Sequence, residues 1–183
     1  SVLAVKLAGG RLALELRELN LYDGSGQGRL VVDGSGARPA IEHAFRMSKL
    51  KAQPFLRDAS GFERLTGTAE GEIEFKAQGR SERELVSGLN GKGSLRFRDG
   101  AIKGINLGQS LGKVKAMFSG GKREAEQEAA PTEKTVFAEL SASFDIKNGI
   151  AKNADFLAVS PVLRLTGAGD INLPESSLDY LVK

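Results

Sequence analysis

The sequence predicts a mainly β fold, an extended antiparallel sheet of about ten strands with two or three short helices. Three observations predict it. Apolar and polar residues alternate over many short segments, the pattern of a strand with one wet face. A phrase is used twice: Ser94-Leu95-Arg96-Phe97-Arg98-Asp99-Gly100 returns as Ser143-Phe144-Asp145-Ile146-Lys147-Asn148-Gly149. Each copy ends in Asp-Gly or Asn-Gly, residues that tolerate positive φ and signal a tight hairpin. Finally, the chain holds 23 glycines, above average usage and suited to frequent turns and bulges.

Taken in order, Val2 to Leu7 reads as a strand, followed by one in which Leu12, Leu14 and Leu16 share a face. Asp23-Gly24-Ser25-Gly26 reads as a turn, Arg29 to Val32 as a short strand, and Asp33-Gly34-Ser35-Gly36 as another turn. Ile41 to Lys51 continues as a strand with Ile41, His43, Phe45 and Met47 in phase. Pro54 suits a first helical position, so Pro54 to Ala59 reads as a turn or two of helix. Leu65-Thr66-Gly67-Thr68 starts a strand through Ile73 and Phe75. Ser81-Glu82-Arg83-Glu84 is a capping box that opens a short helix to about Leu89.

The first copy of the phrase follows as a hairpin, with Ala101 to Ile105 as its second strand. Leu107, Leu111, Val114, Met117 and Phe118 recur at helical spacing, which predicts a helix over Leu107 to Phe118. Residues 122–134 are rich in Glu, Ala, Lys and Arg and read as a solvated, mobile loop. The second hairpin pairs its phrase with Ile150 to Val159. Val162 to Leu173 and Ser177 to Val182 read as the closing strands.

Composition excludes much chemistry. The 183 residues suit a single domain, and both ends abut strand-like sequence, which reads as a fragment of a longer protein. Without cysteine there is no disulfide, thiolate or soft-metal site. No apolar run approaches the roughly 18 residues that span a bilayer. The two Asp-Gly-Ser-Gly units suggest calcium loops at first sight, but the further Asp residues and distal Glu of an EF-hand are missing, which favours turns. His43, the single histidine, lies in mid-strand with no nucleophile motif near it and reads as structural or surface. Gly24 to Gly28 and Gly91 to Gly93 complete neither a dinucleotide fingerprint nor a P-loop, and read as turns. No enzymatic activity and no cofactor are expected. Arg80, Arg83, Lys92, Arg96, Arg98 and Lys103 form a basic stretch without the interleaved aromatics of single-strand binders, so nucleic acid is not expected. A solvated sheet face accounts for these charges; if they have a partner, an anionic lipid surface suits them as well as phosphate backbone.

Alternation assigns one apolar face. Ile73 and Phe75 lie on it, then Leu95 and Phe97, then Leu140, Ala142, Phe144 and Ile146, then Leu163, Leu165 and Ile171. Burying it needs a second layer. Either the sheet folds over as a closed sandwich or it curls and leaves an apolar trough, and the residue pattern fits both.

From Leu89 to Leu181 the order of phrases resembles the C-terminal region of the AsmA family. The carrying residues are Leu89-Asn90-Gly91-Lys92-Gly93-Ser94, Arg98 to Leu107, and Thr135-Val136-Phe137-Ala138-Glu139-Leu140. Phe144, Asn148-Gly149-Ile150-Ala151, Ser160-Pro161, Leu165 to Gly169 and Leu178-Asp179-Tyr180 follow in order, while residues 1–88 fit more loosely. The resemblance implies a periplasmic module tethered to the inner membrane by an N-terminal helix absent from this sequence. It implies a curled β-sheet whose apolar groove holds phospholipid acyl chains, in traffic to the outer membrane and envelope integrity. The family carries no catalytic residues. Assigned to the groove by alternation are Ile73, Phe75, Leu95, Phe97, Leu140, Phe144, Ile146, Leu163, Leu165 and Ile171. The competing reading is a scaffold for assembly of outer-membrane proteins, acting through edge strands.

Overall fold

The computed structural model describes residues 2–104 and 134–183. Its ten strands form one antiparallel sheet in strict chain order. They are β1 (Val2–Ala8), β2 (Arg11–Leu21), β3 (Gly24–Asp33), β4 (Ala40–Lys51) and β5 (Thr68–Gln78). Then come β6 (Asn90–Lys103), β7 (Lys134–Lys147), β8 (Ile150–Val159), β9 (Arg164–Asn172) and β10 (Ser177–Val182). Helix α1 (Ala52–Ser60) follows β4 and helix α2 (Glu82–Ser87) follows β5. Among the described residues neither β1 nor β10 has a second neighbour, so the sheet they form is open at both edges.

Turn chemistry explains the meander. Gly9 and Gly10, Tyr22 and Asp23, and Asn148 and Gly149 are each consecutive residues of positive φ. That pairing is what a type I′ hairpin requires. At Asn148 and Gly149 the angles are 49° and 76°, and β7 turns directly into β8. The other copy of the phrase behaves differently. Asp99 is left-handed at 50°, but Gly100 is not, and the chain runs on through both as the interior of β6. One left-handed residue kinks a strand; two in succession reverse it. The hairpin expected at Asp99-Gly100, and the separate strand Ala101 to Ile105, are therefore corrected.

Other boundaries move for related reasons. Gly24, Gly26 and Gly28 lie inside β3, and Gly91 and Gly93 inside β6, rather than in turns. A Cβ on Gly28 would stand 2.7 Å from Ala44 O and 2.8 Å from the Phe45 ring. Gly26 and Gly28 make room for the Phe45 ring, while Gly24 and Gly91 lie against neighbouring backbone, close approaches that composition alone presents as turns. Consequently β3 is longer than Arg29 to Val32, and its hairpin with β2 turns at Tyr22-Asp23. Gly67, at φ 115°, separates Leu65 from β5, and Leu65 instead makes an isolated bridge to Ile102. Strand β9 begins at Arg164, two residues after Val162, because Ser160 closes a tight loop onto Leu163.

Both short helices form. Helix α1 carries Pro54 within its first turn and ends at Gly61, whose φ of 74° lets its N–H reach Arg57 O. In α2, Ser81 Oγ accepts from the Glu84 N–H, the N-cap bond expected, while the Glu84 carboxylate accepts from the N–H of Arg80, one residue before the cap. This helix stops at Ser87 rather than Leu89. The helix expected over Leu107 to Phe118 lies outside the described residues, as does the loop over 122–134 except Lys134, which opens β7.

A buried cluster sits beneath α1. Met47, Leu50, Ala52 and Ala69 form it, with Leu21, Phe45, Phe55, Leu56 and Phe97 packed against it. Leu50, at 1% exposure, is the largest side chain fully enclosed among the described residues. The opposite face is wet. Cross-strand ion pairs join Arg46 to Glu72, Lys92 to Glu74, Arg98 to Glu70, Arg96 to Glu139 and Lys152 to Asp170.

Candidate functional site

Register places the alternating apolar residues of neighbouring strands opposite one another. Leu3, Val5 and Leu7 of β1 face Leu16, Leu14 and Leu12 of β2. Phe45 pairs with Ile73, and His43 with Phe75, between β4 and β5. Leu95 and Phe97 of β6 meet Ala142 and Leu140 of β7, and Leu140 meets Ala158 of β8. Ala158 in turn meets Leu165 of β9, and Ile171 meets Leu178 of β10.

Between β6 and β10 this face encloses a cavity of about 380 Å³. It is lined by Leu95, Phe97, Ile102, Thr135, Phe137, Leu140, Ser141, Ala142 and Phe144, and by Phe156, Ala158, Val159, Ser160, Leu163, Leu165, Ile171, Leu178 and Tyr180. No charged side chain is among them. Leu95 and Leu178 line the same space from strands four positions apart. In a flat sheet those strands would be about 19 Å apart at ~4.8 Å per step, so the sheet curves around the cavity.

Seven of the ten residues assigned by alternation meet in this cavity: Leu95, Phe97, Leu140, Phe144, Leu163, Leu165 and Ile171. Ile73 lies instead in a depression with Val5, Leu14, Leu16 and Phe45. Phe75 stacks on His43, ring centres 5.0 Å apart, and covers Gly91, where a Cβ would come within 2.8 Å of its own. Ile146 is buried at 8% exposure.

Phe156, Leu178 and Tyr180 were not assigned, and Ile102, Thr135 and Phe137 were missed for a specific reason. Strict period-2 counting puts Ile102 out of phase with Phe97, and Phe137 out of phase with Leu140. Both strands change phase together, on either side of left-handed Asp99. Gly100 completes the device: a Cβ there would sit 2.5 Å from the Phe137 ring and 2.1 Å from Thr66 O. The Asp99-Gly100 step was the available signal, and it marks a phase change rather than a hairpin.

A small polar network stiffens the cavity wall at Tyr180. Asn153, at 4% exposure, donates through Nδ2 to Ser143 O and to Asp155 Oδ1, each at 2.7 Å. Asp155 also accepts from Ser143 N–H at 2.8 Å and Ser143 Oγ at 2.6 Å. Burial pushes the Asp155 carboxyl up, but these hydrogen bonds from Ser143 and Asn153 outweigh it and hold it below the usual range. Tyr180 shows the opposite balance: burial raises its hydroxyl, and the Asp155 charge adds to the effect. The network sits where β7–β8 and β8–β9 both shift register, filling the backbone gaps that bulges open.

Three of the six residues of the basic stretch, Lys92, Arg96 and Arg98, pair with carboxylates on adjacent strands. His43 Nδ1 has no hydrogen-bond partner among the described residues, and burial lowers the imidazole pKa below its ordinary value. No cluster of three potential ligands able to hold a metal occurs among the described residues. Asp33, in the second Asp-Gly-Ser-Gly unit, accepts from the Ser35 N–H and hydroxyl, a local turn.

The model of the AsmA family matches residues 2–156. The chain belongs to the AsmA family. No curated protein and no solved structure matches it. The AsmA match takes in the first half of the chain, where the resemblance read from the sequence is looser. It ends before the Ser160-Pro161, Leu165 to Gly169 and Leu178 to Tyr180 phrases. Strands β1 to β7 and most of β8 therefore carry the AsmA match, while β9 and β10 complete the cavity beyond it.

Proposed function

We propose that this AsmA-family chain is a non-enzymatic module whose curved sheet forms an apolar groove that holds lipid acyl chains. The observation that carries this reading is the β6–β10 cavity, lined by Leu, Ile, Phe, Val and Ala with a few hydroxyls and no charge. An acyl chain needs no specific polar contact, because each methylene removed from water contributes about 0.8 kcal/mol. The proposed setting is the periplasm, in a protein anchored to the inner membrane by a segment outside this sequence. The proposed role is phospholipid movement between inner and outer membranes. Purification from a bacterial membrane background, followed by mass spectrometry of extracted lipid, tests it. Co-purifying phospholipid and photo-crosslinks from Phe97, Phe144 and Leu165 are expected; absence of both would overturn the reading.

A second reading is favoured by the unpaired edge strands. Among the described residues strand β1 is open on one side, with Leu3, Val5 and Leu7 exposed at 58%, 60% and 73%. Such an edge accepts an added strand from an envelope protein during assembly. A proline in β1 abolishes that activity and leaves acyl binding at β6–β10 intact, which separates the two.

A further inference from the structure

We infer that Phe97, backed by helix α1, is the stop that ends the acyl-chain site on its β6 side and sets the chain length accepted; this rests on the acyl-binding reading above. Among the described residues Phe97 alone both lines the cavity and packs on the buried cluster under α1. Its partner across β5–β6 is Ala69, which is fully buried in that cluster. Beyond Phe97 the same face continues: Leu95 pairs with Gly71, and Gly71 pairs with Met47 of β4. Helix α1 sits at this crossing, bringing Ala52, Phe55 and Leu56 onto Met47, Leu50 and Ala69. A chain lying along β7–β10 therefore meets packed side chains where the row passes from β6 toward β4.

The stop is fixed rather than swinging. The Ala52 N–H donates to Gly67 O at 2.9 Å, which ties the start of α1 to the segment that follows it. That segment is stitched to β6 by Thr66 N–H to Ala101 O at 2.9 Å and by Lys103 N–H to Arg64 O at 2.8 Å. Leu65, at 9% exposure, bridges to Ile102, itself part of the cavity wall. One continuous piece of chain thus holds α1 down and braces the part of β6 that carries Ile102 of the cavity wall.

The test is a binding series of saturated fatty acids from octanoate to stearate on the full chain. In the wild type, affinity rises about fourfold per methylene and then levels at a defined length. Phe97→Ala moves the levelling point to longer chains, and Phe97→Leu moves it less. Leu56→Ala, which thins the backing without touching the cavity, shifts it in the same direction and covers the case in which Phe97→Ala does not fold. Phe144→Ala weakens every length and leaves the levelling point where it was. A levelling point unchanged in folded Phe97→Ala and Leu56→Ala, or none in the wild type, overturns the stop while acyl binding stands. No binding of any length by the wild type overturns the acyl-binding reading itself.

Discussion

The Tyr180 hydroxyl donates a hydrogen bond to Asn153 Oδ1, joining the last strand of the sheet to the bulge of β8 across the whole width of β9. The same oxygen accepts from the Phe156 N–H at 3.3 Å. Tyr180 thus has an apolar ring on the cavity, edge-on to Phe156, and a polar end anchored beneath it.

Removing that anchor leaves the ring in place. Tyr180→Phe is expected to cost about 1 kcal/mol of unfolding free energy, the net value of one such hydrogen bond. Asn153→Ala should cost more, because it strips partners from the Ser143 carbonyl, Asp155 and Tyr180 together. In the double variant the two costs fall short of additivity, measurable by urea denaturation as a coupling between strands that are not neighbours.

Acid should loosen the same network. The folded Asp155 pKa lies below its unfolded value, so the stability it contributes is present above the unfolded carboxylate range. That contribution is lost as pH falls through the folded pKa. Asp155→Asn removes this part of the acid sensitivity, read as a flatter dependence of Tm on pH in the acid limb.

His43 acts in a milder window. Its folded pKa is depressed by burial, so the unfolded chain takes up the proton first and stability declines as pH falls from about 6.5. The decline stops below the folded pKa. In His43→Phe, which keeps an aromatic ring against Phe75, that decline is expected to vanish from the same pH series.

Packing under α1 is expected to dominate single-site energetics. Leu50→Ala opens a cavity in a site with 1% exposure and should cost about 2–5 kcal/mol. Leu7→Ala, at 73% exposure, should stay within about 0.5 kcal/mol. Chemical denaturation of both variants decides it; equal costs would mean that the α1 cluster is not the main core.

Turn glycines are expected to differ according to what surrounds them. Gly9→Ala adds only the left-handed penalty of about 1–2 kcal/mol, since nothing lies within 4 Å of its Cβ. Gly149→Ala adds contacts of 2.5 Å to Val86 O and 2.8 Å to Pro174, so it should cost clearly more. A comparison of their Tm values checks the ranking.

Much of the strand order was legible in the sequence, because alternation is a local property that survives folding. Ile150 to Val159 and Ser177 to Val182 have the expected bounds. Gly28 and Gly91 were misread for a non-local reason. Whether a glycine turns the chain or lies under Phe45 or Phe75 depends on the strand beside it. Asp99 and Asn148 look equivalent in the sequence and share nearly the same φ, yet the residue after each decides between kink and hairpin.

By itself the sequence determined that this protein is mainly β, a run of about ten alternating strands, since side-chain period and turn residues act within a few positions. Only the tertiary structure decided which of those residues meet. Curvature gathered Leu95 to Tyr180 around one cavity and left Ile73 and Phe75 elsewhere. The phase change at Asp99 brought in Ile102 and Phe137. Both depend on contacts between distant strands, where a ring over a glycine or a helix on a sheet sets geometry that no short window of sequence encodes.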